Sequence, residues 1–525
     1  MKRLLVTATL LAALLPLLSQ ATTLRWARST DASTLDPHAV NNGPNLNLLQ
    51  QIYEPLLIRG PDGSQLPTLA TSWKLTADPN VWEFKLRQGV RFHDGTALSA
   101  DDVVFSIKRA KAPSSDMKAL LVSIADVIKV DAHTVHIKTT GPNPILPANL
   151  SNILIVSASW ARANRVETPR NPADGEDSHA TRHTNGTGPY QLVSREPDSR
   201  TVLKQFDRYW GKGSFPLEIS ELVYLPIKAP ATRVVALLSG EVDFVQDVPI
   251  SDIARLSEDA RLRVTQAPEN RVIFLGFNVG EGELKYADVK GRNPLADRRV
   301  REAFHLAIDR EALKRVVMRG LSVPTGIVAP PFVHGYDKRF DSLPKPSVEQ
   351  ARALLAAAGY PDGFGLTLHC TNDRYLNDEA ICTAVAGFLG KIGVKVTVVA
   401  RPLAIQTAAL NSQDTDFYLY GWGVPTLDSA YIFDYLFHSR SASRGSANAT
   451  RYANPALDQK IAALSTEGDV RKRDASIAEI WSTLQKEQIY LPLHNQILTY
   501  ATTRRFDIPV NPTSAPFFKF YKVLK

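Results

Sequence analysis

Several residue sets in this 525-residue chain have types and spacings that suggest chemistry. Ser342 and Lys345 stand at S-x-x-K spacing, the arrangement in which a lysine serves a serine nucleophile. Pro344 lies between them, where the nucleophile-bearing helix would have to run, and the S-D-N and K-T-G partners are missing. His179 and His183 would share a metal on one helix face. Their Gly-, Asp- and Thr-rich surroundings instead predict a loop with solvated histidines. Asp101 and Asp102 are adjacent, so on a helix they point apart, and acids in a first turn suit its dipole. No G-x-S-x-G, H-E-x-x-H or C-x-x-C occurs. Gly186-Thr187-Gly188 and Gly421-Trp422-Gly423 lack the third glycine of a nucleotide loop. The expectation is a protein that is not an enzyme, with no metal site and no cofactor.

The elements that position these residues alternate between strand and helix. Val81–Leu86 alternates as a half-buried strand, and Ser99 caps a helix with Asp101 and Asp102 in its first turn. Arg298–Ile308 is amphipathic, and Asp309 caps a following helix over Arg310–Arg319. Leu366–Cys370 and Val394–Val399 are strands flanking a helix at Asp378–Lys391, a βαβ unit that implies parallel strands. Phe417–Trp422 is fully apolar, as in a strand buried on both faces. Cys370 and Cys382 fall on the first strand and helix of that unit. In an oxidising compartment they could form a disulfide, while two buried thiols is the alternative.

Hydrophobic residues make up 44% and charged residues 22% of the chain, an ordinary globular profile. A net charge of +8, with basic residues scattered among acids, is no nucleic-acid footprint. At the N-terminus Lys2 and Arg3 precede an apolar run, Leu4–Leu18, too short to span a membrane. Small residues at Ser19 and Ala21 then predict a signal peptide over residues 1–21, cleaved near Ala21, and export to the periplasm. No cysteine follows to carry a lipid anchor.

A collinear set of segments carries a family resemblance. Thr34-Leu35-Asp36-Pro37, Tyr53-Glu54-Pro55-Leu56 and Leu69-Ala70-Thr71-Ser72-Trp73 come first, followed by the long segment FKLRQGVRFHDGTALSADDVVFS (Phe84–Ser106). Gly186-Thr187-Gly188-Pro189-Tyr190, Arg208-Tyr209-Trp210, Val300–Leu313 and Ala351–Phe364 follow in order. Together they resemble bacterial extracellular solute-binding protein family 5, the dipeptide and oligopeptide receptors of ABC importers. The resemblance implies an α/β fold of the type II periplasmic binding protein kind, two lobes around a hinged ligand cleft with an extra α/β domain. By analogy lobe I combines residues 22–56, 186–278 and 500–525; the additional domain is 57–185; lobe II is 279–499. It also implies capture of a small solute, a peptide or peptide-like one. A monomer would deliver that solute to an ABC permease and its ATPase subunits at the inner membrane, with no nucleic acid involved.

In peptide-binding relatives an Asp three residues after a Trp pairs with the ligand's α-ammonium. Here three beyond Trp422 is Pro425. Asp428 is the nearest acid and has two readings, a substitute for that carboxylate or the N-cap of a helix over Ser429–Phe437. Arg374 follows a strand end, where ligands of open α/β sheets gather, and would take a ligand carboxylate; a salt bridge to Asp373 or Asp378 is the alternative. Trp422 would wall the ligand or pack the lobe. Tyr53 and Asn45 are candidates from lobe I. The missing Asp leaves room for a non-peptide solute such as a metal chelate, haem, opine or sugar. A receptor that binds peptides without importing them and an exported hydrolase are rivals from other classes.

Overall fold

A computed structural model describes residues 22–59, 65–172, 175 and 177–524. The expected signal peptide lies outside the described residues.

One sheet runs through the main body. Its strands are β1 (Thr23–Arg28), β2 (Tyr190–Glu196), β3 (Arg200–Gln205), β4 (Glu221–Pro226), β5 (Phe244–Val245), β6 (Leu262–Phe277), β7 (Ser322–Pro324), β8 (Gly365–Thr371), β9 (Lys395–Arg401), β10 (Phe417–Gly423) and β11 (Tyr490–Thr503). Their order is β9-β8-β10-β6-β11-β5-β1-β4-β3-β2, with β7 added to β11. β8 and β9 are parallel, as the βαβ reading requires, and Asp378–Gly390 forms the connecting helix.

The two longest strands, β6 and β11, occupy the middle of the sheet. The first half of β6 pairs Leu262–Pro268 with the second half of β11, whose Thr502 and Ala501 also pair with β5. The second half of β6 pairs with β10 on its other side. Between these halves the register slips from Pro268 to Val272. Such an irregularity re-aims side chains, and the residues inside it are Glu269, Asn270 and Arg271.

The helices used below are α1 (Gly43–Ile52), α2 (Ala100–Ala110), α3 (Asp378–Gly390), α4 (Ser429–Ile432) and α5 (Val470–Glu487). Ser99 and Asp102 form a reciprocal capping box at the start of α2. This helix buries Val103, Ile107 and Ala110 with residues of a four-stranded antiparallel sheet made by Ala70–Leu75, Val81–Leu86, Ile124–Asp131 and Thr134–Thr139. The helix after Asp309 is shorter than its periodicity implies: Arg310–Ala312 is α-helical and Leu313–Val317 winds as a π-turn. Residues 179–182 are also not the expected loop. They form one helical turn, with the His179 and His183 rings stacked 3.9 Å apart.

Two of the short motifs meet in space. The Glu54 carboxylate accepts from Tyr209 Oη and Trp210 Nε1, both at 2.7 Å, and from Lys519 Nζ at 3.0 Å. Gly188 N–H donates to Ile52 O, so close that a Cβ on Gly186 or Gly188 would lie 2.0 or 2.6 Å from that oxygen. Thr34–Pro37 is joined to α2 through Arg109, whose guanidinium grips the buried Asp36 carboxylate at 2.6 and 2.7 Å.

Candidate functional site

A cavity of about 850 Å³ opens where these parts meet. Asn41–Gly43 and Tyr53 line it from around α1, Arg59 and Asp116 from the segments that carry the four-stranded sheet, and Arg271 from the slip in β6. The opposite wall holds Arg374, Trp422, Tyr431 and the loop Pro331–Tyr336. Hydrogen bonds cross between the walls. Asn41 Nδ2 donates to Tyr431 Oη at 2.9 Å, Tyr435 Oη to Asp116 O at 3.1 Å, Arg59 Nη2 to Thr426 O at 2.6 Å, and Thr30 Oγ1 to Asp373 O.

Arg374 is positioned by the turn between β8 and α3. The Asp378 carboxylate accepts from the backbone N–H of Arg374 and Tyr375 at 3.2 Å and from Thr371 Oγ1 at 2.7 Å, which sets the loop. Asp373 accepts from Leu403 N–H. Neither acid forms an ion pair with the Arg374 guanidinium, so the salt-bridge alternative is not what the structure contains. Instead Arg374 and Arg271 converge on the start of α1. A Cβ placed on Gly43 would lie 3.0 Å from Arg374 Nη2 and 3.8 Å from Arg271 Nη2. Burial, followed by the charge of Arg271, lowers the Arg374 guanidinium to about 10. Arg271 is held by Glu269 at 2.9 Å. Two guanidiniums beside a helix N-terminus make an environment in which an anion is favoured.

Trp422 is on the cavity wall and buried. Its ring lies 5.7 Å from Tyr431 and 5.5 Å from Tyr435, which are themselves 4.5 Å apart. Both tyrosines sit at i and i+4 on the turns after Asp428, so one aromatic face looks into the cavity. Tyr53 also lines the cavity and is almost completely buried.

The other two candidates are elsewhere. Asn45 is inside α1 and turned from the cavity: its Oδ1 accepts from Ser33 N and Oγ, and its Nδ2 donates to Thr34 O. It ties the Thr34 segment to the helix. Asp428 is not among the lining residues either. Its carboxylate caps α4 through Ala430 N at 2.9 Å, takes Arg473 in a bidentate pair at 2.7 and 2.9 Å, and meets His334 Nδ1 at 2.9 Å. Of its two readings the cap is the one the geometry displays, on a helix that changes to a π-turn after Ile432. Burial raises the Asp428 carboxyl, but the His334 and Arg473 hydrogen bonds outweigh it and bring it to about 2. Cys370 and Cys382 are joined in a disulfide that ties β8 to α3.

Sequence reasoning missed Arg271, Tyr431 and Tyr435. A signal for the first was present: Glu269-Asn270-Arg271 is a polar interruption immediately before a wholly apolar strand. No helix among the described residues is long and apolar enough to cross a membrane, and no group of three or more metal-ligating side chains occurs among them.

Known proteins share this architecture. The glutathione-binding protein GsiB of Salmonella paratyphi A is 26% identical over 474 residues, covering 89% of this chain and 88% of that protein. The structure of AgaA from A. tumefaciens R10 in complex with agropinic acid superposes with a TM-score of 0.83 at 25% identity, covering 96% of this chain and 99% of AgaA. A dipeptide-binding protein from Pseudoalteromonas sp. SM9913 in complex with Met-Leu, 21% identical, has the same fold at a TM-score of 0.84 over 96% of this chain and all of its own. Such neighbours make the fold that of the type II periplasmic binding proteins. The sequence model of bacterial extracellular solute-binding proteins, family 5 (middle region), matches residues 65–444. That match spans well over half of the sequence, and the chain belongs to the bacterial extracellular solute-binding proteins of family 5.

Proposed function

We propose that this protein is the periplasmic solute-capturing component of an ABC importer, and that its solute is a small carboxylate-bearing molecule, peptide or peptide-like. The halves of the sheet on either side of β6 and β11 act as lobes I and II, and the segments around the four-stranded sheet as the additional domain. Closure about those two strands would bury the solute from water, a hinge motion of the known repertoire. The closed monomer then docks on its permease, whose ATPase subunits drive import.

The observation that carries this reading is the Arg374 guanidinium, which faces the cavity beside Arg271 and the start of α1 with no ion pair to Asp373 or Asp378. A half-buried charge of that kind is costly unless a ligand supplies its counter-charge. Trp422, Tyr431 and Tyr435 supply an apolar wall for the rest of the solute, and Tyr53 lines the cavity from lobe I. GsiB and the Met-Leu complex support a peptide-like solute.

A second reading, a non-peptide carboxylate, is favoured by one specific observation. Pro425 replaces the amine-binding acid of peptide receptors, and Asp428 is already neutralised by Arg473 and His334. The agropinic acid complex of AgaA is consistent with that reading.

The test is a thermal-shift screen of ligand-stripped protein against dipeptides to pentapeptides, their blocked forms, glutathione, opines, sugars, nickel chelates and haem. A ligand at 100 times its Kd adds about 2.7 kcal/mol of stability. Carboxylate solutes should raise the midpoint, and Arg374→Ala should remove the shift. A response to sugars alone would overturn the carboxylate reading. Loss of the shift on N-acetylation would separate the peptide from the non-peptide version.

A further inference from the structure

The loop Pro331–Tyr336 forms part of the cavity wall and is pinned to the residues that begin α4. His334 N–H donates to Leu427 O at 2.9 Å, and His334 O accepts from Ser429 N–H at 3.0 Å and from Ser429 Oγ at 2.7 Å. Trp481 on α5 donates its Nε1 to the same Ser429 hydroxyl. Gly335 packs closely on Ser429 and Ile477, and the imidazole adds a further attachment. His334 Nδ1 lies 2.9 Å from Asp428 Oδ2, and His334 Nε2 lies 2.9 Å from Asp474 Oδ1 on α5.

A neutral imidazole has one N–H and one lone pair. Only the imidazolium donates from both nitrogens, so only the protonated ring satisfies Asp428 and Asp474 together. We infer that His334 is a proton-operated clamp on the cavity wall, which holds Pro331–Tyr336 against α4 and α5 when charged and loosens it when neutral. This inference rests on the capture reading, because its consequence is solute retention that weakens as pH rises.

The charges facing His334 fit this role. The Asp428 hydrogen bond raises the imidazole above its usual value, opposed by burial and by Arg473, whose Nη1 is 3.3 Å from Nδ1. Asp474 adds a second favourable charge from α5. Arg59, beside Thr426, acts on Asp428 from the cavity side. The ring is 46% exposed, so a proton can come and go without unfolding the site.

The experiment needs no solute. Imidazole signals of 15N-labelled protein are followed from pH 5 to pH 9, and backbone hydrogen exchange of residues 332–336 and 427–429 is measured over the same range, corrected for intrinsic rates. The His334 midpoint should lie above that of a free histidine, and Asp474→Asn should lower it. Protection of both segments should fall as pH passes that midpoint, and His334→Gln should make it independent of pH. Asp474 is half exposed, so its variant keeps the fold and the test remains interpretable. A midpoint at or below the ordinary value, or protection that ignores the titration, overturns the clamp. Failure of the capture reading would appear instead in the solute screen, with this titration intact.

Discussion

Arg473 and Asp428 form a bidentate buried pair at 2.7 and 2.9 Å, with the carboxylate also serving as the cap of α4. The acid nearest to the position where peptide receptors keep their amine-binding Asp is thereby spent on the fold. Asp428→Asn should preserve the cap, since Asn caps about as well as Asp. It should still destabilise the protein by about 3–5 kcal/mol, because Arg473 is left as an unpaired buried charge. Urea unfolding measures the loss. Unchanged stability with selective loss of amine-bearing ligands would return Asp428 to the solute.

The same carboxyl predicts acid sensitivity. Its folded value is depressed to about 2, so its contribution is fully present above the unfolded value near 3.8 and is lost as pH falls towards 2. Urea midpoints at pH 5 and pH 2.5 should therefore differ more in the wild type than in Asp428→Asn.

Arg374→Ala should weaken binding of a carboxylate solute by about 2–5 kcal/mol, the usual cost of truncating one partner of a buried charge pair. Folding should be little affected, since the variant removes a charge that burial and Arg271 disfavour. Isothermal titration with the solute found in the screen, paired with a melting curve, separates the two effects.

Trp422→Ala should lower affinity and stability together, because the ring faces the cavity, stacks on Tyr431 and packs against Tyr435. Trp422→Phe keeps most of the stacking, so an affinity loss without a fall in melting temperature in this variant would assign the indole to the solute.

Reducing the Cys370–Cys382 disulfide should cost about 3 kcal/mol in the chain-entropy account for a loop of this size. Since α3 follows directly on the Arg374 turn, melting with and without reductant should show the loss, and solute affinity should fall with it.

Local physics made much of the architecture legible from sequence. The period-2 run at Val81–Leu86, the Ser99 cap and the strand–helix–strand unit across Leu366–Val399 are set by neighbours in the chain, and they fold as their patterns imply. One of the short motifs carries a close approach that few residues permit, at Gly186 and Gly188 against Ile52. Local pattern fell short where tertiary packing overrides it, as in the π-turns after Ala312 and Ile432.

Which candidates share the cavity wall, and with what partners, was decided by tertiary structure. Arg271 and Arg374 are about a hundred positions apart in the chain, and nothing in either neighbourhood states that both reach the same glycine at the head of α1. The committed state of Asp428 depends on Arg473 and His334, which come from two other segments. Asn45 lies beside Asn42 and Asn47, yet helical geometry turns it inward to Thr34 while those two line the cavity. Residue type announces which side chains carry charge or a ring. Whether a charge is left for a solute depends on which distant partner reaches it first, and only the folded chain settles that.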